Sequence, residues 1–223
     1  FAWQYPAVAL AGVPAKVSVT SIVHKAEQTT LERPGFLSNN GLTAAEMGTA
    51  LHAFLEHADF SALAAAKDAG GLEEAILAER QRQVDRQLVA PEIAEKLDVS
   101  RIRRFVEGEA FAKICAADEV LRELAFITAL PAEAVLAAQG TEGVRAEGEQ
   151  VLVQGIADLV LVYPDHLELL DYKTDRRKTE ADFLRAYRAQ LNLYALAIDK
   201  RFAPKKVTYK GICSLELGKL IEV

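Results

Sequence analysis

The clearest pattern of hydrophobic and polar positions lies between residues 151 and 173. Two runs rich in β-branched and aliphatic residues, 151–163 and 167–172, stand on either side of a Pro-Asp-His triplet that favours a turn. Two such runs around a short turn predict a pair of antiparallel strands. We therefore expect a largely apolar β-hairpin at the centre of the fold.

The predicted hairpin brings two acidic residues together. Folding the runs about the middle of the turn sets Asp158 opposite Asp171, whereas a shift of one residue would put them on opposite faces. Lys173 shares a face with Asp171, because side chains alternate along a strand, and Tyr172 points the other way. Two carboxylates and one lysine are thus expected side by side.

Carboxylates in apolar strands repel each other and are costly to bury unless a cation pairs with them. Aspartate oxygens and a backbone carbonyl are hard ligands of the kind that Mg²⁺ or Mn²⁺ prefers. A lysine beside such an ion can orient a water molecule and stabilise charge on a phosphate. The pattern indicates a phosphodiester-hydrolysing site. An alternative is an edge hairpin with charged surface residues, in which Lys173 only pairs with Asp171.

Helical spacing predicts two long helices outside the hairpin. The first covers residues 43–58, opens with a capping box at Thr43, and carries His52 one turn after Gly48. The second runs from about 180 to 199 and places Gln190 and Tyr194 one turn apart on the same side. A histidine on a helix is more often a packed or surface residue than a ligand, so this pattern alone assigns His52 no chemistry.

The order of the predicted elements indicates an α/β fold with a central mixed sheet flanked by helices. A helical insertion is expected at about residues 71–120, where Ser100 would cap one helix from residue 101 to about 116. The strand–helix–strand step from 167 to 214 should form a parallel pair. Residues 1–40 resemble a connector from a preceding region, and the start at Phe1 rather than Met indicates a piece of a longer chain.

The net charge of −6 argues against a general coat for nucleic acid, but the charge is unevenly distributed. Residues 171–223 hold 12 Lys/Arg against 7 Asp/Glu, a net of +5, whereas residues 1–170 have a net of −11. The positive charge therefore follows the proposed metal site, where a phosphate backbone would need it. Electrostatics alone makes four arginines candidates for phosphate contacts: Arg176, Arg177, Arg185 and Arg188.

Four motifs occur in the order found in one nuclease family: Gly48-x-x-x-His52, Gly155-Ile156-Ala157-Asp158, Asp171-Tyr172-Lys173 and Gln190-x-x-x-Tyr194. With these motifs, the chain resembles the RecB-like branch of the PD-(D/E)XK nucleases. Within that branch it looks most like the C-terminal nuclease domains of the AddA family of helicase–nucleases. The resemblance implies a restriction-endonuclease-like core covering residues 41–223.

The resemblance also implies a site. His52, Asp158, Asp171 and the Tyr172 backbone carbonyl would hold Mg²⁺, for which Mn²⁺ is expected to substitute. Lys173 would position the attacking water, and Gln190 and Tyr194 would lie beside the site. Some members of the RecB-like branch carry a four-cysteine iron–sulfur cluster, but this chain has only two cysteines and cannot form one.

The partners implied by the resemblance are single-stranded DNA ends, helicase domains of the same full-length chain, and a second protein of the AddB type that forms a heterodimer with it. The sequence contains no GxxxxGK[ST] motif, so ATP is expected to act only through a motor outside these residues. Widely spaced cysteines suit a reducing cytoplasm, and the resemblance implies a bacterial one with work near the nucleoid. No apolar run approaches the roughly 18 residues of a membrane helix. No membrane partner is expected.

The resemblance implies a Mg²⁺-dependent exonuclease that processes double-strand breaks for recombinational repair. Two alternatives stay open: a stand-alone exonuclease of the phage type, and a catalytically silent DNA- or partner-binding module on the same fold. The intact Asp–Asp–Lys set favours an active enzyme over the silent module. If the paired acids repel each other, Asp171→Ala should abolish cutting yet leave the metal-free fold intact or more stable.

Overall fold

A computed structural model describes residues 15–19, 44–141, 146 and 148–223. Within them, six strands form one mixed sheet: β1 (Lys16–Ser18), β2 (Glu119–Pro131), β3 (Gln150–Val162), β4 (Leu167–Lys173), β5 (Val207–Ser214) and β6 (Lys219–Glu222). The same residues contain eight helices: α1 (Ala44–His57), α2 (Phe60–Ala69), α3 (Leu72–Asp85), α4 (Pro91–Ala94), α5 (Val99–Glu107), α6 (Glu109–Ala116), α7 (Ala132–Ala138) and α8 (Glu180–Arg201).

Strand β3 is the centre of the sheet. β2 pairs antiparallel along its whole length on one side, while the other side pairs first with β1 in parallel and then with β4 in antiparallel orientation. β4 and β5 are parallel, and β6 folds back antiparallel to β5. The predicted hairpin, the predicted parallel step and the α/β class with a central mixed sheet are confirmed.

Helices cover both faces of the sheet, and each face has its own hydrophobic core. Helices α7 and α8 enclose the α8 core, which buries residues such as Val160 and Phe183. Helices α1 to α6 enclose the insert core, which buries residues such as Leu161 and Phe111. Because β3 and β4 are buried on both faces, they read as nearly continuous apolar runs, and each acidic residue among them needs a specific reason.

Local capping explains where the helices begin. The Thr179 side chain accepts a hydrogen bond from the Asp182 backbone, and the Asp182 carboxylate accepts one from Thr179, so a complete capping box starts α8. Asp59 caps α2, a helix that the sequence reading did not separate from its neighbours.

The prediction of one helix at 101–116 capped by Ser100 is wrong. Asp98 is the cap, because its carboxylate accepts from the backbone N–H groups of Ser100 and Arg101. Gly108 adopts an extended conformation that ends α5 and starts α6. Two short helices in close succession have apolar residues at helical spacing throughout, so their sequence resembles that of one longer helix.

The predicted connector, residues 1–40, is described only at residues 15–19, where β1 lies beside β3. Thr43 of the predicted capping box also lies outside the described residues. The domain boundaries at residues 40 and 41 therefore stay a prediction. Within the part of the chain that the structure describes, no helix combines the length and apolar character needed to span a bilayer.

Candidate active site

Strands β3 and β4 pair in the predicted register. Leu159 lies opposite Leu170, and the next position along the hairpin carries Asp158 on β3 and Asp171 on β4. There the Asp158 carboxylate accepts a hydrogen bond from the Tyr172 backbone N–H, with 2.7 Å between Oδ2 and the nitrogen. The Asp158 side chain thus accepts from a backbone N–H that would otherwise donate to a carbonyl of the neighbouring strand. The regular pairing of β3 with β4 ends at Leu159 and Leu170, directly before the two acids.

Strand β3 changes face at Asp158. Ala157 packs in the α8 core, whereas Leu159 packs in the insert core. Residues two apart on a regular strand share a face, so the strand must kink between them. On β2 the residue at the matching position, Glu123, has a φ of 45°. Such a conformation is strained for a residue other than glycine, and strained residues cluster at functional sites.

The kinked strands and helix α1 bring three metal-binding side chains together. His52, Glu123 and Asp158 each offer one ligand atom, and these atoms lie within 4.8 Å of one another. His52 Nδ1 is 3.6 Å from Asp158 Oδ2, and the imidazole stands edge-on to the Tyr172 ring with 5.8 Å between the centroids. The sequence reading did not identify Glu123, because its position depends on the long-range pairing of β2 with β3 and on its own unusual φ.

Burial makes this group an unfavourable place for unpaired negative charge. Burial, and then the charge of Asp171, raises the pKa of Asp158 well above its ordinary value. The pKa of Glu123 is raised by burial and then by Glu56 and Asp171. The pKa of His52 is lowered by burial, so its imidazole is held in the neutral form that binds metal ions.

The chemistry of these donors fits a divalent cation. A cation would offset both the burial of these carboxylates and their mutual repulsion, which together raise the two carboxyl pKa values. A neutral imidazole with carboxylate oxygens is a donor set that suits Mn²⁺ or Mg²⁺. The Tyr172 backbone N–H donates to Asp158, so this stretch of backbone lies beside the group. The assignments of His52, Asp158, Asp171 and the Tyr172 carbonyl as ligands stay predictions.

Asp171 lies in a more fully satisfied environment than Asp158. It is 2% exposed, and its Oδ1 accepts a hydrogen bond from Gln190 Nε2 at 3.1 Å. Its Oδ2 forms an ion pair with Lys173 Nζ. The same Gln190 nitrogen lies 3.1 Å from the Tyr194 hydroxyl, to which it donates. The structure therefore brings together Asp171, Lys173, Gln190 and Tyr194, as the motifs led us to expect.

The Lys173 ammonium contacts the Tyr187 ring as well as the Asp171 carboxylate. Burial alone would favour the neutral amine, but Asp171 and Asp158 outweigh burial and raise the pKa of Lys173. Its ammonium lies 4.5 Å from the centre of the Tyr187 ring, a favourable cation–π geometry. The Tyr187 hydroxyl donates to Asp175 at 2.9 Å. The contact of Tyr187 with Lys173 could not be found from spacing, because the two residues lie on different elements.

Two motif glycines are explained by close packing. A Cβ at Gly155 would lie 2.7 Å from Tyr194 Cε1 and 2.9 Å from Phe126 Cζ, so a side chain there would displace the ring that Gln190 contacts. A Cβ at Gly48 would lie 2.6 Å from Thr174 Oγ1. Glycine at 48 thus lets the segment after β4 approach the helix that carries His52.

The four candidate phosphate-binding arginines lie on the surface: Arg176, Arg177, Arg185 and Arg188. Arg176 and Arg177 follow β4 directly, three and four residues after Lys173. The side chain of Arg185 is 81% exposed and lies 3.5 Å from Asp182.

By contrast, Arg101 in the insertion is only 10% exposed and is paired with Asp98 and Glu216, so it belongs to the protein interior.

Comparisons with known proteins agree with this geometry. The family model of the PD-(D/E)XK nuclease superfamily matches residues 26–219. Three similar proteins are named as ATP-dependent helicase/nucleases of the AddA type. The protein of Moorella thermoacetica is 36% identical over 90% of this chain and 15% of its own length. Those of Pelotomaculum thermopropionicum and Acetivibrio thermocellus are 34% and 30% identical over 97% and 98% of this chain, respectively, and 18% of their own lengths.

The chain spans less than a fifth of the length of these curated relatives. The matches nevertheless cover 90–98% of this chain. On the family match over most of its residues and on these relatives, the chain belongs to the PD-(D/E)XK nuclease superfamily.

Proposed function

We propose that the chain is a metal-dependent deoxyribonuclease domain that hydrolyses phosphodiester bonds of single-stranded DNA. The observation that carries this proposal is the convergence of His52, Glu123 and Asp158 beside the buried Asp171–Lys173 ion pair. Such a group is unfavourable in a metal-free interior, and a site of this kind is expected to exist for a function.

In this proposal, four side chains would hold a divalent cation: His52, Glu123, Asp158 and Asp171. The Tyr172 carbonyl is the fifth candidate ligand. When bound, Mg²⁺ supplies Lewis acidity at the phosphate and lowers the pKa of water, so that no side chain need act as nucleophile. The remaining chemistry belongs to the lysine and to the residues that place it.

Lys173 is the residue proposed to act on the reacting phosphate. Its raised pKa keeps the ammonium protonated at neutral pH, so it can donate hydrogen bonds to a water molecule or to a phosphate oxygen. The Asp171 carboxylate and the Tyr187 ring fix the position of the ammonium from two sides. Gln190 and Tyr194 are proposed to support this arrangement through Asp171 rather than to contact the substrate.

The DNA strand is proposed to approach across the surface arginines that follow β4 and line α8. Arg176 and Arg177 are exposed three and four residues after Lys173, which supports their role in binding phosphates. An exonuclease must admit a strand end, so we propose cutting of linear rather than circular strands.

The names of the relatives support a larger setting. They describe ATP-dependent helicase/nucleases, of which this chain matches less than a fifth. We propose that the domain works in the bacterial cytoplasm beside a helicase region and a partner protein of the AddB type, and processes double-strand breaks for recombinational repair. Strand separation by the helicase region would supply the single-stranded substrate.

A gel assay tests the proposal directly. End-labelled linear single-stranded DNA should be degraded in Mg²⁺ or Mn²⁺ and left intact in EDTA, and circular single-stranded DNA should persist. Asp158→Asn should be inactive. Lys206→Ala is the matched control, because this exposed lysine lies at the Leu167 end of β4, away from Lys173. Equal cutting in EDTA, or full activity of Asp158→Asn, would refute the proposed chemistry.

Calorimetry separates an enzyme from a silent binding module. A Mn²⁺ titration of the unsubstituted chain should release or absorb heat that Asp158→Asn abolishes. DNA binding without any metal-dependent heat would favour the silent module instead.

A further inference from the structure

The C-terminal end of α1, one turn after His52, is covered by side chains from distant parts of the chain. Gln83 Nε2 donates to the carbonyl of Phe54 at 3.0 Å, and Arg82 Nη2 donates to that of His57 at 2.8 Å. The last carbonyls of a helix have no partner within the helix, so these bonds satisfy groups that would otherwise need water.

Arg122 of β2 completes the set. Its Nη1 lies 2.9 Å from the carbonyl oxygen of Glu56 and 2.6 Å from that of Ala58, and its guanidinium stacks over the Phe60 ring at 3.9 Å. A cation at a helix C-terminus also interacts favourably with the helix dipole. The guanidinium is half-buried, and burial lowers the pKa of Arg122, so these contacts are made with part of its hydration removed.

The position of Arg122 connects two elements of the site. It directly precedes Glu123, the residue with the strained φ of 45°, and it grips the helix that carries His52. One side chain thereby fixes the distance between the backbone segments that supply two of the three converging ligand atoms. Loss of the hydrogen bonds from Arg122 to the end of α1 would allow α1 to shift relative to β2 without unfolding either element.

Helix α3 of the insertion braces the same helix end through a buried carboxylate. Glu79 is 6% exposed and accepts from Arg82 Nε at 2.6 Å, from Gln83 Nε2 at 2.8 Å and from the Asp59 backbone at 3.2 Å. Gln83 is fully buried, and its Nε2 donates to both Glu79 and the Phe54 carbonyl, whereas its Oε1 has no hydrogen-bond partner among the described residues. Buried polar groups are costly unless they are bonded, so the bonds of Glu79 and of Gln83 Nε2 are expected to hold these side chains in one arrangement.

We propose that Arg122, together with Gln83 and Arg82 of the helical insertion, positions His52 against Glu123 and Asp158 for metal binding. This inference rests on the proposed function. It makes Arg122 a positioning residue and gives the insertion a role in the active site, although no insertion residue belongs to the group of converging ligands.

The test compares two arginine substitutions in the full 223-residue chain by Mn²⁺ calorimetry and urea unfolding. Arg122→Met should weaken Mn²⁺ binding about tenfold, the lower range for residues that orient metal ligands. Arg101→Met is the control, since it removes an even more buried arginine that pairs with Asp98 and Glu216 rather than with α1. It should lower stability and leave Mn²⁺ affinity within about twofold, well short of the tenfold loss. Arg122→Lys should restore most of the affinity.

The outcomes are distinguishable. If the unsubstituted chain binds no Mn²⁺, the proposed function fails and this inference fails with it. If the unsubstituted chain binds Mn²⁺ and Arg122→Met binds it equally well, only the inference is overturned. If Arg122→Met does not fold, Gln83→Met replaces it, because that change is nearly isosteric and removes the bond to Phe54. A loss of about threefold in Mn²⁺ affinity, smaller than the tenfold loss expected for Arg122→Met, then supports the inference. Unchanged Mn²⁺ affinity overturns it.

Discussion

The two acids of the central hairpin are held in different ways. Asp171 is surrounded by side chains that satisfy it, with Gln190 on one oxygen and Lys173 on the other. Asp158 accepts one backbone hydrogen bond and otherwise faces His52 and a second acid, Glu123. One half of the site is therefore complete without a metal ion, and the other half is not.

This difference separates the residues that position Lys173 from the candidate metal ligands. The Asp171 half is built by direct contacts from α8 and places a cationic lysine. The Asp158 half is built by a strand kink, a strained Glu123 and a braced helix end, and it brings together the side chains that are the candidate metal ligands. We expect Lys173 of the first half to govern turnover, Asp171 to contribute to both fold stability and metal binding, and the second half to contribute most of the metal affinity.

The largest expected effect is on turnover at the Asp171 half. Lys173→Ala should lower the cutting rate by about 10²–10³-fold, the usual loss when one preorganised electrostatic donor is removed. Mn²⁺ affinity should change much less, because the converging ligand atoms do not include the lysine. Single-turnover cutting and Mn²⁺ calorimetry measure the two quantities. Equal losses in both would show that Lys173 is structural and would remove the contrast between the halves.

The next effect concerns stability. The structure changes what Asp171→Ala should do, because this carboxylate is the ion-pair partner of Lys173 and the acceptor for Gln190. Its removal leaves a largely buried ammonium unpaired, which costs about 3 kcal/mol of unfolding free energy in buried pairs. We therefore expect destabilisation of the metal-free protein, not the neutral or stabilising effect that repulsion alone predicts. Urea unfolding in EDTA measures it, and unchanged stability would favour the repulsion argument.

Asp158→Asn should change the unfolding free energy of the metal-free protein in the opposite direction to Asp171→Ala. It keeps an acceptor for the Tyr172 N–H but removes the charge, and should stabilise the metal-free protein by roughly 1 kcal/mol, the upper range for like charges opposed in a sheet. The pKa of Asp158 is raised on folding, so the unfolded chain loses its proton first as pH rises. The advantage of the variant should thus be absent near pH 4 and grow as pH rises through the raised folded pKa.

Paired unfolding curves in EDTA across this pH range check the sign. His52 contributes an opposite slope in both proteins, because its pKa is lowered on folding and stability then rises with pH up to about 6.5. The difference between the two proteins is therefore the informative quantity. A variant advantage that is constant with pH would mean that Asp158 is not the strained acid, and excess Mn²⁺ should reverse the order of stability.

The smallest effect lies outside both halves. Arg185→Ala should weaken binding of single-stranded DNA only a few-fold, since the side chain is 81% exposed and one phosphate contact is lost. The slope of log K against log salt should fall by about 0.7. Fluorescence anisotropy in EDTA measures binding without cutting, and Lys206→Ala should leave the slope unchanged. An unchanged slope for Arg185→Ala would remove this arginine from the DNA path.

Features that depend on local periodicity and turn position could be predicted from the sequence. The position of the turn gave the register of the hairpin and hence the adjacency of Asp158 and Asp171, and the pairing of Leu159 with Leu170 confirms that register. Helical spacing placed Gln190 and Tyr194 on one side of α8, where they contact each other. Both follow because neighbours along a strand or helix are fixed by the backbone geometry of that element alone.

The other contacts of the site could not be predicted, because they join residues that are far apart along the chain. Glu123 reaches the site through a positive φ and a strand pairing across more than 30 residues, and Arg122 reaches α1 across more than 60. Tyr187 meets Lys173 because α8 packs back over β4. No periodic pattern encodes such contacts, since they depend on the packing of whole elements and on a backbone conformation that glutamate adopts only under strain.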